Sequence, residues 1–433
     1  MKVCKFGGSS VAEASQIRKV KAIVEQDPSR RVVVVSAPGK RHKEDEKITD
    51  LLYTCHAKAA KGQSIDGTFQ IIRSRFLEIA EELQVRGSLE ESINKIEEKI
   101  KAGASADYAA SRGEYLSGLL IADFIDAEFV DAEDVVRLTD DGRVHADSYQ
   151  LVAKHMAARG VYVLPGFYGA QLDGTLKTFS RGGSDISGAI AARGLQAEVY
   201  ENWTDVSGIL MADPRVVDNP KPIEEITYRE IREMASVGAN VFHEEAIAPV
   251  KSMGIPINVK NTNAPDDKGT FILAERDTAK SAIVGVSGKK PYRKLLIEKF
   301  MLNRHPEFPF QVQEALKKMG LAVDFELKGF DTLALFVGSG AEIDWEGIKT
   351  TVVQNLNADS CSLEDELAVI GVVGEGLAAH GQVVGMVLET LKENSISVEA
   401  LNYGGSPVTL LVAVPLEAYP QALRVLAKGV ESL

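Results

Sequence analysis

Lys5-Phe-Gly-Gly-Ser-Ser10 stands directly behind the short apolar opening Met1-Lys2-Val3-Cys4. It sets one cation against two glycines and two hydroxyls where a first strand should end. It has neither the GxxxxGK spacing of a P-loop nor the GxGxxG spacing of a dinucleotide fold. Glycines let backbone N–H groups approach an anion, the helix that follows offers its positive N-terminus, and Lys5 adds a point charge. The same six residues also read as a plain strand-to-helix turn with Ser9 or Ser10 as N-cap.

Outward from this turn, short β-branched runs bounded by turn residues recur at 31–36, 160–164 and 198–202, with helical patterns at 12–24, 50–60, 111–125 and 187–193. Strand alternating with helix predicts an α/β fold with a mainly parallel sheet covered on both faces. Residues 88–101 open with Ser-x-x-Glu and put Ile93, Ile96 and Ile100 on one face, which predicts a capped amphipathic helix without chemistry of its own.

The chain has 433 residues, 45% of them hydrophobic, and a formal net charge of −13. That length accommodates two or three domains. The acidic balance argues against nucleic acid or an anionic membrane as partner, because both need a positive field. Small molecules and other subunits are expected instead. Cys4, Cys55 and Cys361 are few and far apart, forming neither a disulfide framework nor a metal-ligand cluster, which fits a reducing cytoplasm. No apolar leader follows Met1 and no run approaches the ~18 apolar residues of a spanning helix, so a cytoplasmic, unprocessed chain is expected.

Past residue 288 the glycine-rich turns stop and an internal echo begins. Residues 314–325 align with 389–400, a spacing of 75, and each copy runs into another apolar strand, at 332–337 and 409–414. Strand, helix, strand, strand, twice over, describes a small α/β module in duplicate. The expected division is a catalytic domain at 1–288 and a sensor region at 289–433, with modules at about 293–360 and 361–433.

Three further stretches bear on chemistry. Ser111-Arg-Gly-Glu114 fits a capping box at a helix start; alternatively Glu114, in a cleft, receives a substrate ammonium. Ser180-Arg-Gly-Gly-Ser-Asp-Ile-Ser187 is a second glycine pair before a helix, where Arg181 could grip a carboxylate bidentately and Ser184 with the turn amides hold another anionic oxygen. In the segment 204–215, Arg215 reads equally as a phosphate contact and as an exposed loop arginine. His243 has no partner at metal-ligand spacing and reads as structural, and the charged run 40–47 reads as a solvated mobile loop.

Taken in order, KFGGSSV, VVVSAPG, SRGEYLS, PGFYGA, FSRGGSDIS, WTDVSGILMADPRVV and MASVGANVFH resemble the aspartate kinases of the amino acid kinase family, and the resemblance runs nearly the whole chain. It implies the amino acid kinase fold, a mainly parallel sheet between helix layers, followed by two small α/β ACT modules. It implies that Lys5, Gly7, Gly8 and Ser9 hold the phosphates of ATP, and that Thr204, Asp205, Leu210, Asp213, Arg215, Asn240 and Val241 hold the nucleotide. Ser36, Thr49, Glu114, Phe167, Arg181, Gly182 and Ser184 would receive L-aspartate. Lys5, Gly8, Arg181 and Asp205 are the expected catalytic residues; Mg2+ would accompany ATP, with no protein metal ligand assigned.

The chain departs from the family pattern at Asn240, where a lysine is usual, and at residues 303–310, where a glycine-containing effector turn is usual. The resemblance further implies a homodimer or homotetramer assembled through the ACT modules and an amino-acid effector, lysine or threonine; from the length alone, no fused homoserine dehydrogenase is expected. A sister kinase with another acceptor and a non-catalytic amino-acid sensor are the rival readings. Paired Glu114 and Arg181 favour a free amino acid, and retention of Lys5, the glycines and Arg215 favours catalysis.

Overall fold

The structure, a computed structural model, describes residues 1–433 apart from 86, 181, 240–243, 339–343, 380 and 432–433. The chain forms two units. The first comprises Met1–Ile209, Pro222–Tyr228 and Val241–Arg276; the second comprises Leu210–Lys221, Arg229–Asn240 and Asp277–Leu433.

In the first unit an eight-stranded sheet consists of β1 (Lys2–Phe6), β2 (Arg30–Val35), β3 (Glu128–Phe129), β4 (Tyr162–Pro165), β5 (Val199–Thr204), β6 (Glu225–Thr227), β7 (Ile257–Asn261) and β8 (Thr270–Leu273). Their order is β6-β8-β7-β5-β1-β2-β4-β3, with every neighbouring pair parallel except β7 with β8. Val32 to Val35 are fully buried, as a parallel strand covered on both faces requires.

Alternation along β1 divides the helices between the faces. Cys4 and Phe6 join a core with α1 (Ala14–Gln26), α2 (Ile48–Ala60), α3 (Asp66–Leu83), α4 (Leu89–Lys101) and α5 (Ala106–Ile125). Lys5 points the other way, toward α6 (Gly183–Gly194), which lies against β5 where the Tyr200 hydroxyl donates to the Asp185 carbonyl at 3.0 Å. α4 buries Ile93, Ile96 and Ile100 as its spacing predicts, but the Ser88 side chain makes no capping bond.

The second unit carries a six-stranded antiparallel sheet of β9 (Gly285–Glu298), β10 (Val323–Lys328), β11 (Thr332–Gly338), β12 (Ser360–Val373), β13 (Ala400–Ser406) and β14 (Thr409–Pro415), in the order β10-β11-β9-β12-β14-β13. α7 (Phe308–Lys318) packs on the first three strands in chain order, and α8 (Gln382–Glu393) with α9 (Tyr419–Val430) packs on the last three. Each half is one copy of the repeat, and the two are joined edge to edge through β9 and β12, which pair over most of their length. Among the described residues no helix is long and apolar enough to cross a membrane.

Candidate active site

The chain leaves β1 for β2 and β4 on one side and returns to the other side at β5. In an open α/β sheet, the crevice beyond the carboxyl ends at such a reversal is where ligands sit. The turns that follow β1, β2, β4 and β5 carry Gly7, Gly8, Ser9, Ser36, Phe167 and Asp205 of the expected site residues.

After β1, the amide of Gly7 donates to the Trp203 carbonyl at 3.0 Å, and Gly39 of the turn after β2 donates to the Gly8 carbonyl at 2.9 Å. The two turns touch backbone to backbone: a Cβ on Gly8 would lie 3.0 Å from the Ala37 carbonyl oxygen, and one on Gly39 would lie 2.9 Å from the Gly8 carbonyl carbon. Glycine is needed at both for this approach. Neither serine caps a helix. The N-cap position of the short turn Gly8–Val11 is Gly7, Ser9 is exposed, and the buried Ser10 hydroxyl pairs with Thr262 at 2.8 Å.

Lys5 is buried, with its Nζ 2.6 Å from Asp185 Oδ1 in the first turn of α6. Asn202 Nδ2 donates to the same oxygen at 3.2 Å. Asp185 is the charged partner of Lys5 that the sequence reading passed over. It stands inside the second glycine-rich stretch, but its pairing with a residue 180 positions away leaves no local signal.

Glu114 does not sit at a helix start. α5 begins at Ala106, and its N-cap is Ser105, whose side chain accepts from the Tyr108 amide. Ser111 lies inside the helix and donates to the Tyr108 carbonyl at 2.8 Å. The capping-box reading is therefore wrong for this stretch. Glu114 is buried; desolvation pushes its carboxyl up to about 8, against the opposing effect of a bond from the Ala37 amide. Its Oε2 has no hydrogen-bond partner. A buried carboxyl with an open oxygen beside the turn after β2 can receive a cation.

After β4, Phe167 adopts φ 77°, a left-handed conformation held by bonds from its amide to Ser187 Oγ at 3.1 Å and from the Phe179 amide to its carbonyl at 2.9 Å. Gly182 is also left-handed, at φ 59°. Ser184 is buried at the start of α6, where a Cβ on Gly166 would lie 2.7 Å from it. Ser36 directly follows β2, and Thr49 is the second residue of α2, both partly exposed. Lys5, Gly7, Gly8, Ser36, Glu114, Phe167, Gly182 and Ser184 are thus linked through contacting turns of the first unit. Arg181, the expected carboxylate grip, lies outside the described residues, as do Asn240, Val241 and His243.

Thr204 ends β5 and its hydroxyl accepts from the Val206 amide at 3.0 Å, while Asp205 is exposed. Leu210, Asp213 and Arg215 belong to the second unit. There Arg215, largely exposed, reaches Asp213 Oδ2 at 2.7 Å. Among the described residues no group of three or more His, Cys, Asp or Glu side chains could hold a metal.

The amino acid kinase family profile matches residues 1–261, and an ACT domain profile matches 370–429. Aspartokinase 3 of Bacillus subtilis is 36% identical over 432 residues, covering 96% of this chain and 95% of the relative. The crystal structure of Clostridium acetobutylicum aspartate kinase, described as an allosteric enzyme, superposes with a TM-score of 0.93 at 39% identity, over 99% of this chain and all of that one. Escherichia coli aspartokinase III superposes with a TM-score of 0.80 at 27% identity in its complex with lysine and aspartate, over 99% of both chains. In its complex with aspartate and ADP the values are 0.75 and 26%, over the whole of both chains. The chain belongs to the amino acid kinase family. Within it the chain is an aspartate kinase with a C-terminal ACT domain.

Proposed function

We propose that this enzyme transfers the γ-phosphoryl group of ATP to the β-carboxylate of L-aspartate, giving 4-phospho-L-aspartate and ADP, and so opens lysine, threonine and methionine biosynthesis. The observation that carries the reading is the open Oε2 of buried Glu114, one turn away from the glycine cradle at Lys5. The complexes of the Escherichia coli enzyme with aspartate and ADP support both substrates.

The acceptor carboxylate is already ionised at neutral pH, so no general base is needed. A β-carboxylate oxygen forms the new P–O bond while the bond from the γ-phosphorus to the β,γ-bridging oxygen breaks, its electron pair leaving with ADP. Lys5, fixed by Asp185, offsets charge on the transferring oxygens, and the Gly7, Gly8 and Ser9 backbone keeps the phosphoryl group in line. Glu114 takes the α-ammonium, and Arg181 with Gly182 and Ser184 takes the α-carboxylate. Ser36, Thr49 and Phe167 complete the acceptor pocket. On the family motif, Thr204, Asp205, Leu210, Asp213, Arg215, Asn240 and Val241 hold the nucleotide. Mg2+ entering with ATP would supply charge neutralisation; among the described residues no cluster of His, Cys, Asp or Glu side chains forms a cage for it.

We further assign 1–288 to catalysis and 289–433 to regulation by lysine or threonine through two ACT modules, in a cytoplasmic homodimer or homotetramer. The lysine in the Escherichia coli complex supports the effector class. An apolar hollow on one face of the six-stranded sheet, lined by Phe325, Leu327, Phe336, Val369 and Leu411, supports assembly through the modules.

The test is ATP turnover with aspartate, glutamate, N-acetylglutamate, carbamate and UMP as acceptors, trapping the acyl phosphate with hydroxylamine. Aspartate alone should give a hydroxamate. Lys5→Ala should lower turnover roughly 10²-fold or more, the scale of losing a preorganised electrostatic contact. Near-normal turnover would remove Lys5 from the reaction.

A further inference from the structure

The charged run after β2 is anchored from beneath. Arg75, on α3, is only 2% exposed, and its guanidinium donates to the Gly39 carbonyl at 3.0 Å, to Asp45 Oδ2 at 2.6 Å and to the Glu46 carbonyl at 3.2 Å. Asp45 Oδ2 also accepts from the Arg41 amide and Nε, each at 3.0 Å. Residues 40–44 are exposed at their tips, but the two ends of the loop are tied to one buried cation.

That tie reaches both halves of the active site. Gly39 donates to Gly8 of the phosphate cradle. Ala37, two residues before it, packs against the helix residue next to Glu114: a Cβ on Gly113 would lie 2.7 Å from the Ala37 side chain. The Pro38 carbonyl accepts from Ile48 at the start of α2, next to Thr49. A four-residue turn therefore sets the distance between the cradle and the ammonium receptor, and Arg75 holds its far end.

Stability alone does not account for an arginine here. A buried ion pair is commonly no more stabilising than well-packed apolar side chains of the same size, and Arg75 carries the further cost of an Nε with no partner. Its neighbours on α3, Ile72, Phe76 and Ile79, are buried and apolar. What an apolar residue could not supply is a fork reaching a main-chain oxygen and a carboxylate at once.

We propose that Arg75 is a positioning residue for the kinase reaction, setting the Ser36–Gly39 turn so that Gly8 and Glu114 are in register for phosphoryl transfer. This rests on the roles proposed for Gly8 and Glu114, which the acceptor assays and Lys5→Ala test separately from anything done to Arg75.

The experiment compares Arg75→Lys and Arg75→Ala with the wild type, reading the melting temperature and both kinetic constants for aspartate. Lysine keeps the charge and loses the fork. Arg75→Lys should melt near the wild type while the aspartate KM rises and kcat falls, together costing on the order of 10²-fold in kcat/KM, the scale of misplacing reacting groups by about 1 Å. Guanidinium chloride at a non-denaturing concentration should recover activity in Arg75→Ala, whereas an equal concentration of sodium chloride should not. An unchanged aspartate KM in Arg75→Lys, or a folded Arg75→Ala that guanidinium does not recover, overturns the proposal. Should Arg75→Ala fail to fold, the KM of Arg75→Lys decides alone.

Discussion

A carboxyl group removed from water holds its proton to higher pH, and Glu114 is such a group, pushed up to about 8 from an ordinary 4.5 by desolvation. The sign of the consequence is fixed. Between about pH 4.5 and 8 the folded chain binds more protons at this site than the unfolded chain, so stability falls as pH rises through that window. Glu114→Gln cannot titrate and should escape the loss, so denaturant unfolding at pH 5, 6.5 and 8 should show the wild type losing on the order of a few kcal/mol relative to the variant. Parallel pH curves would place Glu114 in a wetter site than the structure shows. The same proton governs substrate: an ammonium needs the ionised carboxylate, so aspartate affinity should rise with pH, by about tenfold per unit at most, and level off near 8. Lys5 and the glycines were legible at this scale because a phosphate cradle is a local pattern. The Lys5–Asp185 pair and the open Glu114 oxygen were not, since both arise from distant segments.

At the scale of elements, periodicity located α1, α2 and α4 within two residues but placed the start of α5 at 111 instead of 106. Ser-x-x-Glu before an apolar run is the pattern of a cap, yet inside a helix the same spacing merely stacks two side chains on one face. The real start, Ser105, carries no acidic residue three positions on to draw attention to it. Ser105→Ala should therefore cost about 1 kcal/mol by denaturant unfolding, the usual loss of a capping side chain, with aspartate KM little changed. Ser111→Ala should cost no comparable capping energy; if it costs as much and Ser105→Ala nothing, the helix begins later than the structure shows. α3 was missed although Phe69, Ile72, Phe76, Ile79 and Leu83 recur at three- and four-residue steps and are all buried. The signal was present, and the element it marks bears Arg75.

Across the whole molecule, the 75-residue echo revealed two copies of one module but not how they join. Pairing of β9 with β12 makes one six-stranded sheet, leaving β10 and β13 as its outer strands. Open edges and an apolar hollow on the sheet face are surfaces that a second copy of the chain can cover. An effector seated on such a surface would act by binding one quaternary arrangement better than another, and linkage limits its effect to that difference in affinity, typically ~1–3 kcal/mol. Lysine is the first expectation and threonine the second. Truncation after residue 288 is a poor test because it cuts β9. Titrating each amino acid, alone and together, into the intact enzyme while following turnover and equilibrium binding separates the cases. Inhibition at saturating aspartate, with a binding isotherm that aspartate does not displace, is the expected result. If neither amino acid binds outside the active site or alters turnover, lysine and threonine are not the effectors; if no other amino acid does so either, the modules serve assembly alone.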